Sequence, residues 1–380
     1  MKPTPDTRLF RGVSYPADQK GCGQYRMHWP IQIINANSKE ILIDSLSSLI
    51  PLPAFYERTN GVRFQRLTSL KAAEFLKTFS MLKDQINPVL NLMYDIDDVV
   101  LPEDIPDYNA SKYFFEDKRD TIITCMKEYC NEITVPSKAM ADYYKDKTGN
   151  NNVTVIPNYV PKFWGDRFYR KQEVVSNFLQ NKHKPVVVFP CSGSHFNVDN
   201  SKNQSDDFSH INEAIAKNVD NFKFIFLGGA YPKALEPLIK RKKILSINAA
   251  EIYDYFYYLN ALKPNVIAAP LQDNVFNKCK SNIKYSEACA LGLPLVCQDL
   301  EPYKKCKYAT KFKTGDEFID ALKKVTKDES SYVRLSDRCV NEAKDLWLEN
   351  DKNWKKFEEL YIYPYKHKGR KLINSMSENR

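Results

Sequence analysis

The stretch Pro270-Leu-Gln-Asp-Asn-Val-Phe-Asn-Lys-Cys-Lys280-Ser281-Asn282-Ile-Lys284-Tyr-Ser-Glu287-Ala-Cys-Ala-Leu-Gly292-Leu-Pro294-Leu-Val296 decides how this chain is read. It opens at the end of an apolar run, Val266–Pro270, short enough for a buried strand. A polar loop follows, then a helix expected over Ile283–Leu291, a Gly-Pro turn and a second strand, Leu295–Cys297. Strand, loop, helix, turn and strand make one crossover unit of a parallel sheet. Such a loop aims backbone N–H groups from a helix N-terminus, where an anion is favoured. Lys280 and Lys284 add positive charge, and Ser281 and Asn282 add donors and a helix cap. Glu287, a turn further in, can accept hydrogen bonds from ribose hydroxyls. A diphosphate and its ribose thus meet complementary groups within about three helical turns.

The same alternation extends in both directions, which predicts an α/β protein with parallel sheets. Upstream, the strands Leu9–Tyr15, Ile41–Leu46, Val62–Leu67, Val89–Tyr94, Glu132–Val135 and Val153–Ile156 are separated by helix-like segments. Leu70–Ile86 places Ala72, Ala73, Phe75, Leu76, Phe79 and Leu82 near helical spacing, and Ser137 is set to cap a helix over Lys138–Lys145. The pattern restarts with Pro185–Pro190, Phe222–Leu227 and Ile244–Ile247 before reaching the opening stretch. At 380 residues the chain suits two domains rather than one core. The expected boundaries are 1–165, 183–350, and a final helix with a basic tail over 351–380. The linker falls between Pro161 and Lys184. Trp354, Phe357, Leu360 and Tyr361 lie on one side of that last helix, a stripe suited to packing back on the first domain.

Composition excludes several classes. The nine cysteines are odd in number, scattered and without a CxxC pair, so neither a disulfide framework nor structural zinc is expected. A reducing cytoplasm is the expected compartment. Met1–Phe10 carries no apolar signal core, and no run of about 20 apolar residues predicts a membrane span. The net charge of +9 suits a polyanion such as DNA, and equally a nucleotide diphosphate. P-loop, nucleophile-elbow, zincin and GxGxxG patterns are all absent.

Glu287, Ala288, Ala290, Gly292 and Pro294 resemble the donor-site motif of retaining glycosyltransferases of the two-Rossmann-domain (GT-B) type, similar to family 4. There a Glu ahead of Ala-x-Ala-x-Gly-x-Pro contacts the nucleotide ribose. The chain departs from that pattern eight residues earlier, where Cys279 stands in place of a second Glu. Its Phe-Asn-x-Cys-Lys-Ser-Asn-x-Lys form is similar to a divergent branch found in bacterial and phage sequences. The resemblance implies two Rossmann-like domains facing across a cleft, a UDP-sugar as donor, and retention of configuration.

Three further constellations take roles from that resemblance. Gly21-Cys22-Gly23 follows the first strand, where related enzymes bring backbone close to a ligand; a plain tight turn would use the same glycines. Arg26, on the helix beyond, is a candidate phosphate contact. Ser192, Gly193 and His195, just after the first strand of the second half, resemble the small-residue loop that faces the diphosphate. Asp95-Ile-Asp97-Asp98 ends a strand at the edge where open parallel sheets bind ligands. Asp97, ahead of Asp98, is the candidate for orienting or deprotonating an acceptor hydroxyl; a solvated loop cap is the alternative. No resident metal is expected, although an Asp-x-Asp pair can hold a divalent cation.

The implied activity is sugar transfer to a hydroxyl. The favoured acceptor is hydroxymethylated cytosine in double-stranded DNA, since phage enzymes acting on that base share the fold and a similar Gly-Cys-Gly loop. The basic runs Lys240–Lys243 and Lys366–Lys371 fit such a partner. Assembly of a surface glycan on a lipid-linked acceptor is the rival reaction. A sugar-nucleotide or nucleic-acid binding module is the non-enzymatic rival. The chain is expected to act as a monomer without integral membrane association.

Overall fold

The computed structural model describes residues 8–197 and 205–364, the side chains of residues 84, 86 and 364 aside. The chain divides into two compact units. The first comprises the residues up to Asp98, Asp117–Asn158, and those from Leu348 onward; the second comprises Val99–Glu116 and Tyr159–Trp347.

The first unit holds a sheet of six strands. They are β1 (Phe10–Tyr15), β2 (Ile41–Ser45), β3 (Gly61–Gln65), β4 (Asn91–Asp95), β5 (Glu132–Val135) and β6 (Val153–Val155). Their order is β2-β1-β3-β4-β5-β6 and every pairing is parallel. The second unit holds β7 (Val186–Pro190), β8 (Lys223–Leu227), β9 (Leu245–Ile247), β10 (Val266–Ala269), β11 (Leu295–Gln298) and β12 (Thr310–Phe312). Their order is β12-β11-β10-β7-β8-β9, again all parallel. β3, β4 and β7 are buried along their whole length, as sheets covered on both faces require. That is why β7 reads as a continuous apolar run, while β3 also buries Arg63 and Gln65. The α/β class and two Rossmann-like sheets match expectation. β12 was not foreseen: it is a three-residue edge strand with only Phe312 buried, too short to show alternation.

The expected linker is not a linker. Its residues form the helices Lys162–Phe168 and Lys171–Gln180, which belong to the second unit. Trp164 stacks on Phe256 at 3.6 Å and Phe178 on Tyr332 at 4.4 Å, so aromatic burial captures a stretch whose polar residues suggested a connection. The final helix, Asp351–Pro364, returns to the first unit as expected. Trp354, Phe357, Leu360 and Tyr361 are all buried. The Tyr361 hydroxyl meets Ser14 Oγ on β1 at 2.5 Å, and the Leu360 carbonyl accepts from Asn91 on β4.

At the end of β4, Asp95 is fully buried between two equally buried arginines. Arg26 donates through Nη2 at 2.7 Å and Nε at 3.2 Å, and Arg63 through Nη2. Thr134 donates to the same carboxylate at 2.6 Å. Phe357 from the final helix lies 5.4–5.9 Å from both guanidinium carbons. Burial alone would raise the Asp95 pKa; the two guanidiniums overcome it and hold the carboxyl below its ordinary value.

Removing this charge leaves two buried cations unpaired. Asp95→Asn should therefore cost about 3–5 kcal/mol, read as a lower urea midpoint. A depressed folded pKa means the Asp95 contribution is present above about pH 4, the unfolded value, and is lost as pH falls through the folded one. The variant should accordingly lose less stability than wild type on acidification below about pH 4. Equal acid sensitivity in the two proteins would show that Asp95 is not the group responsible.

Candidate functional site

In the second sheet the chain reverses its direction of growth between β7 and β10, and open α/β sheets bind ligands beyond the strand ends at such a point. Two loops meet there. One follows β7 and turns tightly through Gly193–His195. The other follows β10 and enters a short helix, Val275–Cys279, then a longer one, Ile283–Ala290. Ser192 and Ser194 bond each other at 2.7 Å in the first loop.

His195 Nδ1 lies 2.7 Å from Asp207 Oδ2. The ring is 19% exposed and the carboxylate 1%. The other oxygen of Asp207 accepts from the Tyr108 hydroxyl at 2.7 Å, the Gln272 backbone N–H at 2.9 Å and Asn277 Nδ2 at 2.6 Å. Burial raises the Asp207 pKa, but the His195 contact above all, with the Gln272 N–H and the nearby Lys280 charge, reverses the effect and keeps it low. A carboxylate only accepts, so Nδ1 of His195 carries its proton toward Asp207.

The opening stretch contributes the rest. Lys280 Nζ stands 4.4 Å over the Phe276 ring. Lys284 Nζ pairs with Glu287 Oε2 at 3.0 Å, and the Tyr255 hydroxyl donates to the same oxygen at 3.0 Å. Burial, then the Glu287 charge, pushes the Tyr255 pKa well up, so it remains a donor. Burial also raises the Cys191 thiol to well above its usual value, with opposing influences from Lys284 and Asp207. Gly292, at φ +66°, makes the turn into β11, and a Cβ there would lie 2.5 Å from the Tyr169 ring.

Several expected details differ. Asn282 occupies the N-cap position of Ile283–Ala290 but makes no capping bond; its amide faces Cys306 Sγ at 3.8 Å. Capping falls to Asn274, one helix earlier, whose side chain accepts from Asn277 N at 2.8 Å. The stretch read as loop between Pro270 and Asn282 hides that extra turn of helix. Cys279, where the related pattern has a Glu, is buried. Asp207, Tyr108 and Tyr255 gave no signal in the sequence, and Asn277 stood out only within the Phe-Asn-x-Cys-Lys-Ser-Asn-x-Lys form. Tyr108 lies in a segment flanked by first-unit residues, and Asp207 ends a polar run.

In the first unit the corresponding reversal lies between β1 and β3. Gly21-Cys22-Gly23 is not a loop there. It forms the first turn of a run of helical segments reaching Asn37. Gly23 donates to Asp18 Oδ1 at 3.0 Å, and a Cβ on it would fall 1.8 Å from the Asp18 carbonyl oxygen. Two separate expectations meet here, since the Asp97 charge acts on the Cys22 thiol. Burial and then the Asp97 charge raise the thiol pKa well above its usual value, which keeps it protonated. Arg66, which the sequence reading passed over, holds Asp97 through Nε at 2.6 Å, from a backbone φ of +50°. Asp98 takes part through its carbonyl, which accepts from Tyr144. Arg26 is redirected: fully buried, it serves Asp95, Asn158 and the Ile156 carbonyl, which withdraws it from a phosphate.

Among the described residues no group of three or more His, Cys, Asp or Glu gathers to hold a metal ion. All nine cysteines are free thiols. No described helix is long and apolar enough to cross a membrane. The basic run Lys240–Lys243 is partly neutralised, with Lys240 on Glu236 and Lys243 on Asp220. The run Lys366–Lys371 lies outside the described residues.

No family model matches the chain, and no curated protein matches it. Solved structures do. An alpha-glucosyltransferase bound to UDP and a 13-mer DNA with an HMU base superposes with a TM-score of 0.62 at 10% identity, over 93% of this chain and 100% of that one. HepE of Anabaena, bound to UDP and glucose, gives 0.60 at 11% over 93% and 99%. A sucrose-phosphate synthase from Thermosynechococcus elongatus gives 0.60 at 12% over 97% and 100%. Likeness at such identity is likeness of fold: the chain has the GT-B architecture of two Rossmann-like sheets.

Proposed function

We propose that this protein is a glycosyltransferase that moves a sugar from a UDP-sugar to a hydroxyl, with hydroxymethylated cytosine in double-stranded DNA as its acceptor. The observation that carries the donor reading is the cluster at the β7/β10 reversal. There, His195, Lys280 and the two loop backbones stand where a diphosphate needs donors, and Glu287 is held by Lys284 and Tyr255 for a ribose. Ser192, Gly193, Ser281 and Asn282 line the same two loops. UDP or UDP-glucose occupies similar folds in HepE and in the DNA-bound alpha-glucosyltransferase, which supports uracil as the base.

Transfer requires stabilising a departing diphosphate as positive charge builds on the anomeric carbon. Lys280, His195 and fixed backbone N–H groups supply that stabilisation without reorganising. On the acceptor side, Asp97 is assigned to the incoming hydroxyl. The Arg66 contact orients its carboxylate, and Gly21 and Gly23 shape the adjoining turn. The likeness to an enzyme holding DNA, and the +9 charge, support DNA over a glycan. Retention of configuration follows from the donor-motif resemblance.

The direct test incubates the protein with hydroxymethylcytosine-containing and unmodified duplexes and a panel of labelled nucleotide sugars. Label should enter the modified duplex alone; transfer to neither with every donor would remove DNA as acceptor. In Glu287→Ala, UDP affinity should fall about tenfold, the worth of one charge-assisted bond, by calorimetry; wild-type affinity would take Glu287 out of the site. Asp97→Asn should bind UDP normally and transfer about 100-fold more slowly, as loss of a general base predicts. Wild-type turnover in that variant would refute the assignment.

A further inference from the structure

The segment Val99–Glu116 interrupts the first unit in sequence yet belongs to the second. Its Tyr108 is 3% exposed and donates at 2.7 Å to Asp207, the same carboxylate that holds His195. Around that one side chain four separate pieces of chain meet. They are the turn after β7 through His195, the loop after β10 through the Gln272 N–H, the helix Val275–Cys279 through Asn277, and the Tyr108 segment. Asn277 Nδ2 also reaches the Tyr108 hydroxyl at 3.2 Å and the Gln272 carbonyl at 3.1 Å, which closes the network on itself.

The geometry points to Asp207 as the positioning residue of the diphosphate site, with Tyr108 as the strap that fixes it. The inference rests on the donor reading above. A carboxylate bound at both oxygens cannot turn, so the His195 ring is set in one orientation with Nδ1–H inward. That leaves Nε2 as the ring nitrogen a phosphate can meet. The same oxygens tie the two phosphate-facing loops together, so their N–H groups keep a fixed spacing. The donors are then aimed before the ligand arrives, and ordering cost is removed from binding. Asp207 touches no ligand itself; it acts through His195, Gln272 and Asn277.

A group that positions diphosphate donors should affect UDP and not the uridine part of it. The test measures the dissociation constants of UDP by calorimetry and of uridine by ligand-observed NMR, for wild type, Tyr108→Phe and Asp207→Asn. The thermal midpoint of each is recorded alongside. Tyr108→Phe keeps the ring and deletes one hydrogen bond, so the UDP-over-uridine preference should fall about fivefold, with uridine affinity held. Asp207→Asn removes the charge that His195 bonds, and the preference should fall about tenfold or more. Should Asp207→Asn fail to fold, the milder Tyr108→Phe decides alone. A preference unchanged in Tyr108→Phe, even with a lower thermal midpoint, would make the network merely structural and overturn the inference. Wild type that binds no UDP would instead bring down the donor reading, and the inference with it.

Discussion

The first unit is organised around a charge that water never reaches. Asp95 ends the central strand β4, and its carboxylate is enclosed by Arg26, Arg63 and Thr134. Each arginine then reaches outward, Arg26 to the Ile156 carbonyl and Asn158 near the last strand, Arg63 to the Arg26 carbonyl. Phe357 closes the cluster from the returning helix. Strand ends, the first long helical run and the final helix therefore share one electrostatic centre. A buried pair of this kind contributes less by attraction than it would cost if broken, because the desolvation has already been paid in folding.

The second unit uses the same device at its reversal point. Asp207 is as buried as Asp95, but its partners are a histidine, a phenol and amide N–H groups rather than guanidiniums. The chemical consequence differs. Two arginines saturate a carboxylate and hide it, so Asp95 is a structural anion. A histidine bonded through Nδ1 still presents its other nitrogen, so Asp207 passes order to a side chain that is itself part-exposed. Glu287, paired with Lys284 and Tyr255, stands in the same loop system, and Lys280 lies over Phe276. Lys284 is thus held by a carboxylate and Lys280 by a ring.

Much of this was legible in order but not in detail. The twelve strands follow the apolar runs with a single omission, β12, because buried strands such as β7 and β10 are apolar throughout while β12 has three residues with one buried. The Gly-Pro turn and the crossover at Pro270–Val296 were visible for the same reason. The helices at Lys162–Phe168 and Lys171–Gln180 were not, because their capture depends on Phe256 and Tyr332, about 90 and 150 residues further along. The cap at Asn274 escaped notice because Asn282 offered the same chemistry one helix later.

What the sequence determined by itself was therefore the alternation of elements, the parallel α/β class, the return of the last helix and the crossover unit at Pro270–Val296. All of these follow from local periodicity and from which residue types tolerate turns and burial. What only the tertiary structure decided was the use of each charged side chain. Arg26 looked like a phosphate ligand and is a buried counter-ion. Asp207 ends a polar run and is the hub of a buried hydrogen-bond network. The physical reason is that a charge takes its role from its solvation and its partners. Those partners, Asp95 for Arg26 and Tyr108 for Asp207, lie 69 and 99 residues away and meet only when the sheets assemble.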